Sequence, residues 1–485
     1  MNEKTFKRSL IMINTDDIRS CEKVVRFFEE FSKIPHGSGN TSLIADYLVD
    51  FAKARGLEHS RDNADNVVIK KPATAGYEDR PAIIFQGHLD MVAEKKPGAA
   101  IDMEKEGLTL YRDGDFLKAK DTTLGGDDGV ALAYALAVLD SDDIPHPDFE
   151  AVFTSDEEIG LLGAVALDPA AVKGRLLINI DSDAEGIFTV GCAGGMRSDI
   201  SLPVSLESSD VESYRLKVYG FKGGHSGVEI DKGRVNACKA LAEILALIGD
   251  VRIIEVRGGN ADNAIPRECE CSFSADGFDI EEALKTAKES IAKHLCIEPD
   301  ADVMIEKCDG VASAICASDS KKIVALLNEL PSGIIAMSSD IEGLVETSLN
   351  MGILKTTEDS VNVSFSVRSA KGADKRALGD RLAAIAASYG AGYSERGEYP
   401  AWEYKKDSHL RDVMVEVYEK MYEKSPEVVI IHAGLECGIF SEKMPGIDCV
   451  SIGPDNFDIH TTEERLSLSS LARVWEYLKE VLKAI

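Results

Sequence analysis

The spacing of apolar positions changes along the chain, and each change marks a predicted element. Residues 22–33 and 41–55 repeat apolar side chains at helical spacing. Between them lies Pro35-His36-Gly37-Ser38-Gly39, whose proline and glycines stop a continuous helix. Short unbroken apolar runs follow at 66–70, 82–86, 151–155, 176–180 and 448–452, the pattern of strands buried on both faces. Val130 to Leu139 is apolar over the length of a helix. Strands alternating with helices predict a mixed, mostly parallel, helix-covered sheet. From about residue 212 the pattern becomes an alternation, as in Tyr214-Arg215-Leu216-Lys217-Val218, which predicts half-buried strands of an antiparallel sheet. A helix at 233–249, strands at 251–257 and 268–274 and a helix at 279–294 are echoed by 320–329, 346–353, 361–368 and 373–389, an order that suggests two related halves. The expected fold is α/β, with one domain made of residues 1–195 and 397–485 and an α+β domain, residues 196–396, inserted into it.

Length and charge narrow the possibilities. A chain of 485 residues, 44% of them hydrophobic, exceeds what one core usually serves. With 54 basic and 84 acidic residues the net charge is −30, which repels nucleic acid and anionic lipid, so neither is expected as a partner. No segment reaches the roughly 18 apolar residues that span a membrane. The run Leu10–Ile13, behind Lys4, Lys7 and Arg8, is too short for the core of a signal peptide. Ten cysteines without a C-x-x-C pair indicate neither a zinc knuckle nor a disulfide framework, and a reducing cytoplasmic setting is expected.

In sheets of this class the ligand crevice lies beyond the carboxyl ends of the strands. There the sequence places His88, the pair Glu157-Glu158, Asp181 and the loop carrying His460, while Asp127-Asp128 sits among Gly125, Gly126 and Gly129 at a helix start. Two imidazoles and several carboxylates suit two divalent metals, and paired metals perform hydrolysis. Asp90, two residues past His88, can reach the far imidazole nitrogen and fix its tautomer. Glu157 and Glu158 project differently from an irregular turn, so one can ligate while the other handles the proton of a water. Blander readings compete. Asp127 or Asp128 can simply cap a helix, a lone H-x-D is usually structural, and an isolated D-E-E is usually a solvated turn.

The strings Gly87-His88-Leu89-Asp90, Gly126-Asp127-Asp128-Gly129, Asp156-Glu157-Glu158-Ile159-Gly160, Asn179-Ile180-Asp181 and Ile459-His460-Thr461 resemble the motifs of the co-catalytic zinc peptidases that include carboxypeptidase G2 and aminoacylase. Gly223-Gly224-His225-Ser226-Gly227, Asn263-Ala264-Ile265-Pro266-Arg267 and His432-Ala433-Gly434-Leu435-Glu436-Cys437-Gly438 resemble the aminoacyl-histidine dipeptidase branch. The resemblance implies His88, Asp127, Glu158, Asp181 and His460 as ligands of two divalent ions, zinc first, with manganese or cobalt as alternatives. It makes Asp127 the bridge, often followed by a cis peptide, Asp90 the orienter and Glu157 the general acid/base. It also implies a lid that brings His225 to the scissile carbonyl, and substrate contacts from Asn263, Arg368, Gly434 and Glu436. Monomer and homodimer through the lid domain both stay open, with His225 supplied within the chain or by a dimer partner. Arg368 reads equally as a surface arginine, Glu436 as a brace for its loop, and His432 as structural. The segment Pro454-Asp455-Asn456-Phe457-Asp458-Ile459-His460 is more aromatic than the family's usual form. The expected activity is hydrolysis of short peptides, Xaa-His (carnosine-like) dipeptides foremost. The alternatives are an N-acyl amino acid amidohydrolase and a non-catalytic peptide-binding protein on the same fold, which would have no use for Glu157.

Overall fold

The computed structural model describes residues 20–208, 211–309, 313–339, 341 and 343–485. The run Leu10–Ile13 and the basic residues before it lie outside them. The chain divides into two compact units. One comprises Met1–Val190, Lys405–Val429 and Leu435–Ile485, the other Gly191–Tyr404 and Ile430–Gly434. The short return segment 430–434 carries no pattern that would have assigned it to the second unit.

In the first unit the described strands form a sheet in the order Glu58–Arg61, Val67–Lys71, Phe149–Thr154, Ile83–His88, Leu176–Asn179, Asp448–Ser451, Ile187–Cys192, Glu427–Ile431. The sheet is mixed. Its four central strands, from Phe149–Thr154 to Asp448–Ser451, pair in parallel, and the pairings that flank them are antiparallel. These four strands are the unbroken apolar runs, and every residue in them is buried. Because they are parallel, their carboxyl ends share one edge of the sheet. The helix Gly126–Leu139 is buried from Asp128 onward, and its Tyr134 ring stacks on Trp475 of the helix Leu468–Ala484 at 5.9 Å.

A small antiparallel sheet joins Asn456–Phe457, Arg465–Ser467, Phe116–Ala119 and Leu110–Asp113. Phe457 packs edge-on against Phe116, with the Arg465 guanidinium 5.1 Å from the Phe457 ring centre. The aromatic character of the segment before His460 is thus used in packing. No described helix is long and apolar enough to cross a membrane.

In the second unit the order is Asp302–Cys308, Ser213–Tyr219, Cys269–Ser274, Arg252–Gly258, Val345–Thr356, Ser360–Ser369, Gly194–Pro203, Gly392–Tyr399, with Gly333–Met337 also paired to Val345–Thr356. All pairings are antiparallel. Read outward from the central pair Arg252–Gly258 and Val345–Thr356, the two sides repeat one strand order, and each side carries two helices: Ala237–Leu247 and Ile280–Ala292, then Ala317–Glu329 and Gly372–Ser388. Leu241, Ile291, Ile323 and Leu382 from those helices share one core with Phe273 and Phe365. The first of these helices begins at Ala237, not near 233, because the Asn236 side chain accepts the N–H groups of Cys238 and Lys239 and caps it there.

Candidate metal centre

The four parallel strand ends deliver their side chains to one place. His88 closes its strand, Glu157 and Glu158 follow the strand ending at Thr154, Asp181 follows the strand ending at Asn179, and the chain beyond Ser451 leads to His460. Asp127 enters from the irregular start of its helix, where Asp127 and Asp128 have non-helical backbone angles and the peptide between them is cis. Its two oxygens diverge. Oδ1 lies 2.9 Å from His88 Nε2, and Oδ2 lies 3.2 Å from His460 Nε2. Among the described residues three candidate ligand groups follow, His88–Asp127–Asp181, Asp127–Glu158–His460 and His88–Glu157–Glu158, each with its donor atoms within 4.8 Å of one another. Asp127 belongs to the first two, with Oδ1 beside His88 and Oδ2 beside His460.

The electrostatics favour a cation. Burial alone would neutralise His88, yet the carboxylates of Asp127, Asp181 and Asp90 outweigh it and hold the imidazole well above its usual pKa. Asp127 and Glu158 push His460 up to about 10. Burial raises Asp181 to about 7 and lifts Glu157 well above the carboxylate range. His460 Nε2 is 2.8 Å from Glu158 Oε1, but without hydrogen-bond geometry, so that buried oxygen has no hydrogen-bonding partner among the described residues. Imidazole and carboxylate crowded this closely fit divalent ions of the zinc, manganese or cobalt type.

The backbone that aims these ligands is held by carboxylates. Asp90 accepts the N–H groups of Glu157 at 2.9 Å and Glu158 at 3.3 Å and the hydroxyl of Ser38 at 2.8 Å. His88 Nδ1 lies nearer the Asp90 carbonyl, at 2.9 Å, than its carboxylate, at 3.5 Å. Asp90 therefore orients the imidazole largely through its main chain and the glutamate pair through its side chain. Asp128 is buried and accepts the His88 N–H at 3.1 Å. Neither aspartate caps the helix by its side chain. That service comes from Glu464, 3% exposed, which accepts N–H groups from Leu124, Gly125, Gly126 and Asp127 at 2.7 to 3.4 Å and the Asn456 amide at 3.1 Å. Gly125 sits at φ 70°, a left-handed conformation that glycine adopts without strain. Sequence reasoning missed Asp128, Ser38 and Glu464. The only signal for Glu464 was an acid four residues beyond His460, indistinguishable there from a solvated one.

The sequence matches the family described as Peptidase family M20/M25/M40 over residues 84–484, a span that takes in every candidate ligand from His88 to His460. The chain belongs to this family. It is similar to the cytosol non-specific dipeptidase of Escherichia coli (strain K12), 36% identical over 468 residues, 94% of this chain and 96% of the relative. The solved structure of aminoacylhistidine dipeptidase from Vibrio alginolyticus matches with a TM-score of 0.90 and 34% identity, covering 96% of each chain. Aminopeptidase PepT from Bacillus cereus shares the fold, with a TM-score of 0.57 and 18% identity over 96% of this chain and 98% of that one. As an M20 peptidase the protein is a peptide-bond hydrolase, and a non-catalytic binding role is not favoured.

The remaining expected site residues of this M20 chain fare unequally. Glu436 is fully buried, accepting from Gln86 and, at 2.7 Å, from the Thr154 hydroxyl, while the Gln86 carbonyl accepts from Asn179. These partners lie on three adjacent strands, so Glu436 braces the strand ends and has no surface to offer a peptide. Gly434 lies against Tyr399: a Cβ there would come within 2.8 Å of the ring. In the second unit His225 Nδ1 accepts the N–H groups of Gly227 at 3.1 Å and Val228 at 3.3 Å, which places the ring proton on Nε2. Burial, then the nearby Arg368 charge, depresses its pKa, so the ring is neutral. Asn263 is exposed, and its carbonyl accepts the Ser226 N–H at 2.9 Å. Arg368 is 9% exposed, far from a surface arginine. It donates from NH1 to the Tyr399 hydroxyl at 3.0 Å, and its Nε has no partner among the described residues. His432 bonds Ser348 at 2.7 Å, and burial lowers its pKa to about 4, as suits a structural histidine.

Proposed function

We propose that this M20 peptidase is a cytosolic dipeptidase dependent on two divalent ions, acting on short peptides with a free carboxyl terminus, Xaa-His dipeptides among them. The observation that carries the reading is Asp127, whose two oxygens face His88 and His460 in two of the three candidate ligand groups, while Glu157 belongs only to the third, with His88 and Glu158. The names of the similar proteins, a cytosol non-specific dipeptidase and an aminoacylhistidine dipeptidase, support the substrate class. His88, Asp127 and Asp181 would hold one ion, and Asp127, Glu158 and His460 the other, zinc being the first candidate. Bound ions supply Lewis acidity, polarising the scissile carbonyl and acidifying water.

Glu157 takes the proton of the attacking water and returns it to the leaving amine. Asp90 fixes the directions of Glu157 and Glu158 by holding their backbone. The His225 Nε2 proton serves the oxyanion. Arg368 receives the terminal carboxylate, to which a guanidinium can bond through two parallel N–H groups, and Asn263 offers its exposed amide to the peptide. The test is an assay on carnosine, other dipeptides and N-acetyl amino acids, with and without chelator, alongside metal analysis. Dipeptides should be cleaved, chelator should abolish turnover, and two equivalents of metal should be found. Turnover confined to acetylated amino acids would move the protein to the amidohydrolases.

A further inference from the structure

The glycine pair Gly194-Gly195 opens the strand Gly194–Pro203, which lies between Ser360–Ser369 and Gly392–Tyr399. Arg368 and Tyr399 are both in register with Gly195, one on each side. Two inter-strand spacings separate them, roughly 10 Å, yet the phenol hydroxyl and the guanidinium meet at 3.0 Å. The contact is made across Gly195. A Cβ at that position would come within 2.5 Å of the Tyr399 ring. Gly434 clears the other flank of the ring, where a Cβ would lie 2.8 Å away. A break in register between Arg396 and Tyr399 turns the ring to this side, as a bulge does, and Lys375 Nζ holds the Tyr399 carbonyl at 2.6 Å.

We propose that Tyr399 is a substrate-binding residue for the peptide's terminal carboxylate, accepting from Arg368 and donating its own hydroxyl proton to the same carboxylate. The inference rests on the reading of Arg368 as the carboxylate anchor. A phenol that accepts from NH1 has its proton to give, and no other hydrogen bond of this hydroxyl is seen among the described residues. Burial raises the Tyr399 pKa, so the hydroxyl is protonated at neutral pH. The Arg368 Nε, buried without a partner, marks the same spot as lacking an acceptor. Two donor types from two strands then converge where one carboxylate has two oxygens. The two motif glycines are explained as the space that the ring requires.

The experiment compares a dipeptide bearing a free carboxylate with the same dipeptide amidated at its C-terminus, using the metal-loaded holoenzyme. Wild type should prefer the free acid. Tyr399→Phe keeps the ring and removes the proton, so the ratio of kcat/KM for acid over amide should fall about tenfold or more, as expected for a lost bond to a charged group, with the change carried by KM. Gly195→Ala, which displaces the ring, should lower the same ratio and provides a second route if the first variant folds poorly. A ratio equal to wild type in Tyr399→Phe, whatever the common loss in rate, overturns the inference and leaves Arg368 untouched. A wild type that cleaves acid and amide equally overturns the Arg368 reading itself, and Tyr399 falls with it.

Discussion

The metal centre and the Arg368–Tyr399 pair are assembled in opposite ways. At the candidate metal centre the backbone is left-handed at His460, φ 62°, and at Asp156, φ 52°, just before the glutamate pair. Such conformations persist only where surroundings over-determine them, and here buried carboxylates do so, with Asp90, Asp128 and Glu464 gripping main-chain N–H groups. In the second unit Arg368 stands on an antiparallel strand in unbroken register with Gly195 and Tyr399 lies just past a register break in its own strand, and what the pair needs is the empty space above a glycine. The first site has to be clamped; the second has mainly to be cleared. Damage to the first should therefore be large and shared among ligands, and damage to the second graded and confined to one contact.

The largest effect should come from Glu157→Ala. Loss of a general base costs about 10² to 10⁴ in rate, and because the proposed ligands His88, Asp127, Glu158, Asp181 and His460 are untouched the metal content should persist. Loss of metal in that variant would put Glu157 among the ligands. His225→Ala should cost about 10² to 10³ in kcat, the range for one oxyanion donor, with little change in KM. An effect limited to KM would reduce His225 to a binding role. Glu464→Ala strips an acceptor from four N–H groups and should weaken metal retention by about 10 to 100-fold in chelator competition, as other supporting partners of ligands do. If Glu464→Ala binds metal as wild type does while losing only thermal stability, the clamp belongs to the fold and not to the site. The smallest effect is expected from Gly434→Ala, which crowds the Tyr399 ring and should raise KM for a free-acid dipeptide a few-fold, since overpacking costs about 1 to 3 kcal/mol before relaxation. No change in KM would mean that the ring can shift without carrying Arg368 with it.

The same contrast explains what could be read from the chain alone. The central strands were legible because burial on both faces leaves unbroken apolar runs, and the candidate site because His88, Asp181 and the glutamate pair lie at or just past the ends of those runs. The small sheet around Phe116–Ala119 was not, because Leu110–Asp113 is largely exposed and carries no periodic signature. Glu464, Asp128 and Tyr399 were hidden for a deeper reason. Their roles lie in accepting main-chain hydrogens or in facing a residue two strands away, and neither is written in local spacing. Glu436 misled in the other direction: a carboxylate in a motif loop suggested a peptide contact, and burial under Gln86 and Thr154 made it a brace.

The contact between Asp127 and His460 joins residues 333 positions apart. A chain emerging from the ribosome at about 5 to 20 residues per second therefore carries His88, Asp127, Glu158 and Asp181 for roughly 14 to 56 s before His460 exists. Throughout that interval the carboxylates have one histidine instead of two, and the helix start at Gly126 lacks Glu464 to receive its N–H groups. On the proposed ligand set, hydrolytic competence then arrives only with the loop between Asn456–Phe457 and Arg465–Ser467, and a chain stalled short of residue 460 would be rich in metal donors and unable to cut a peptide.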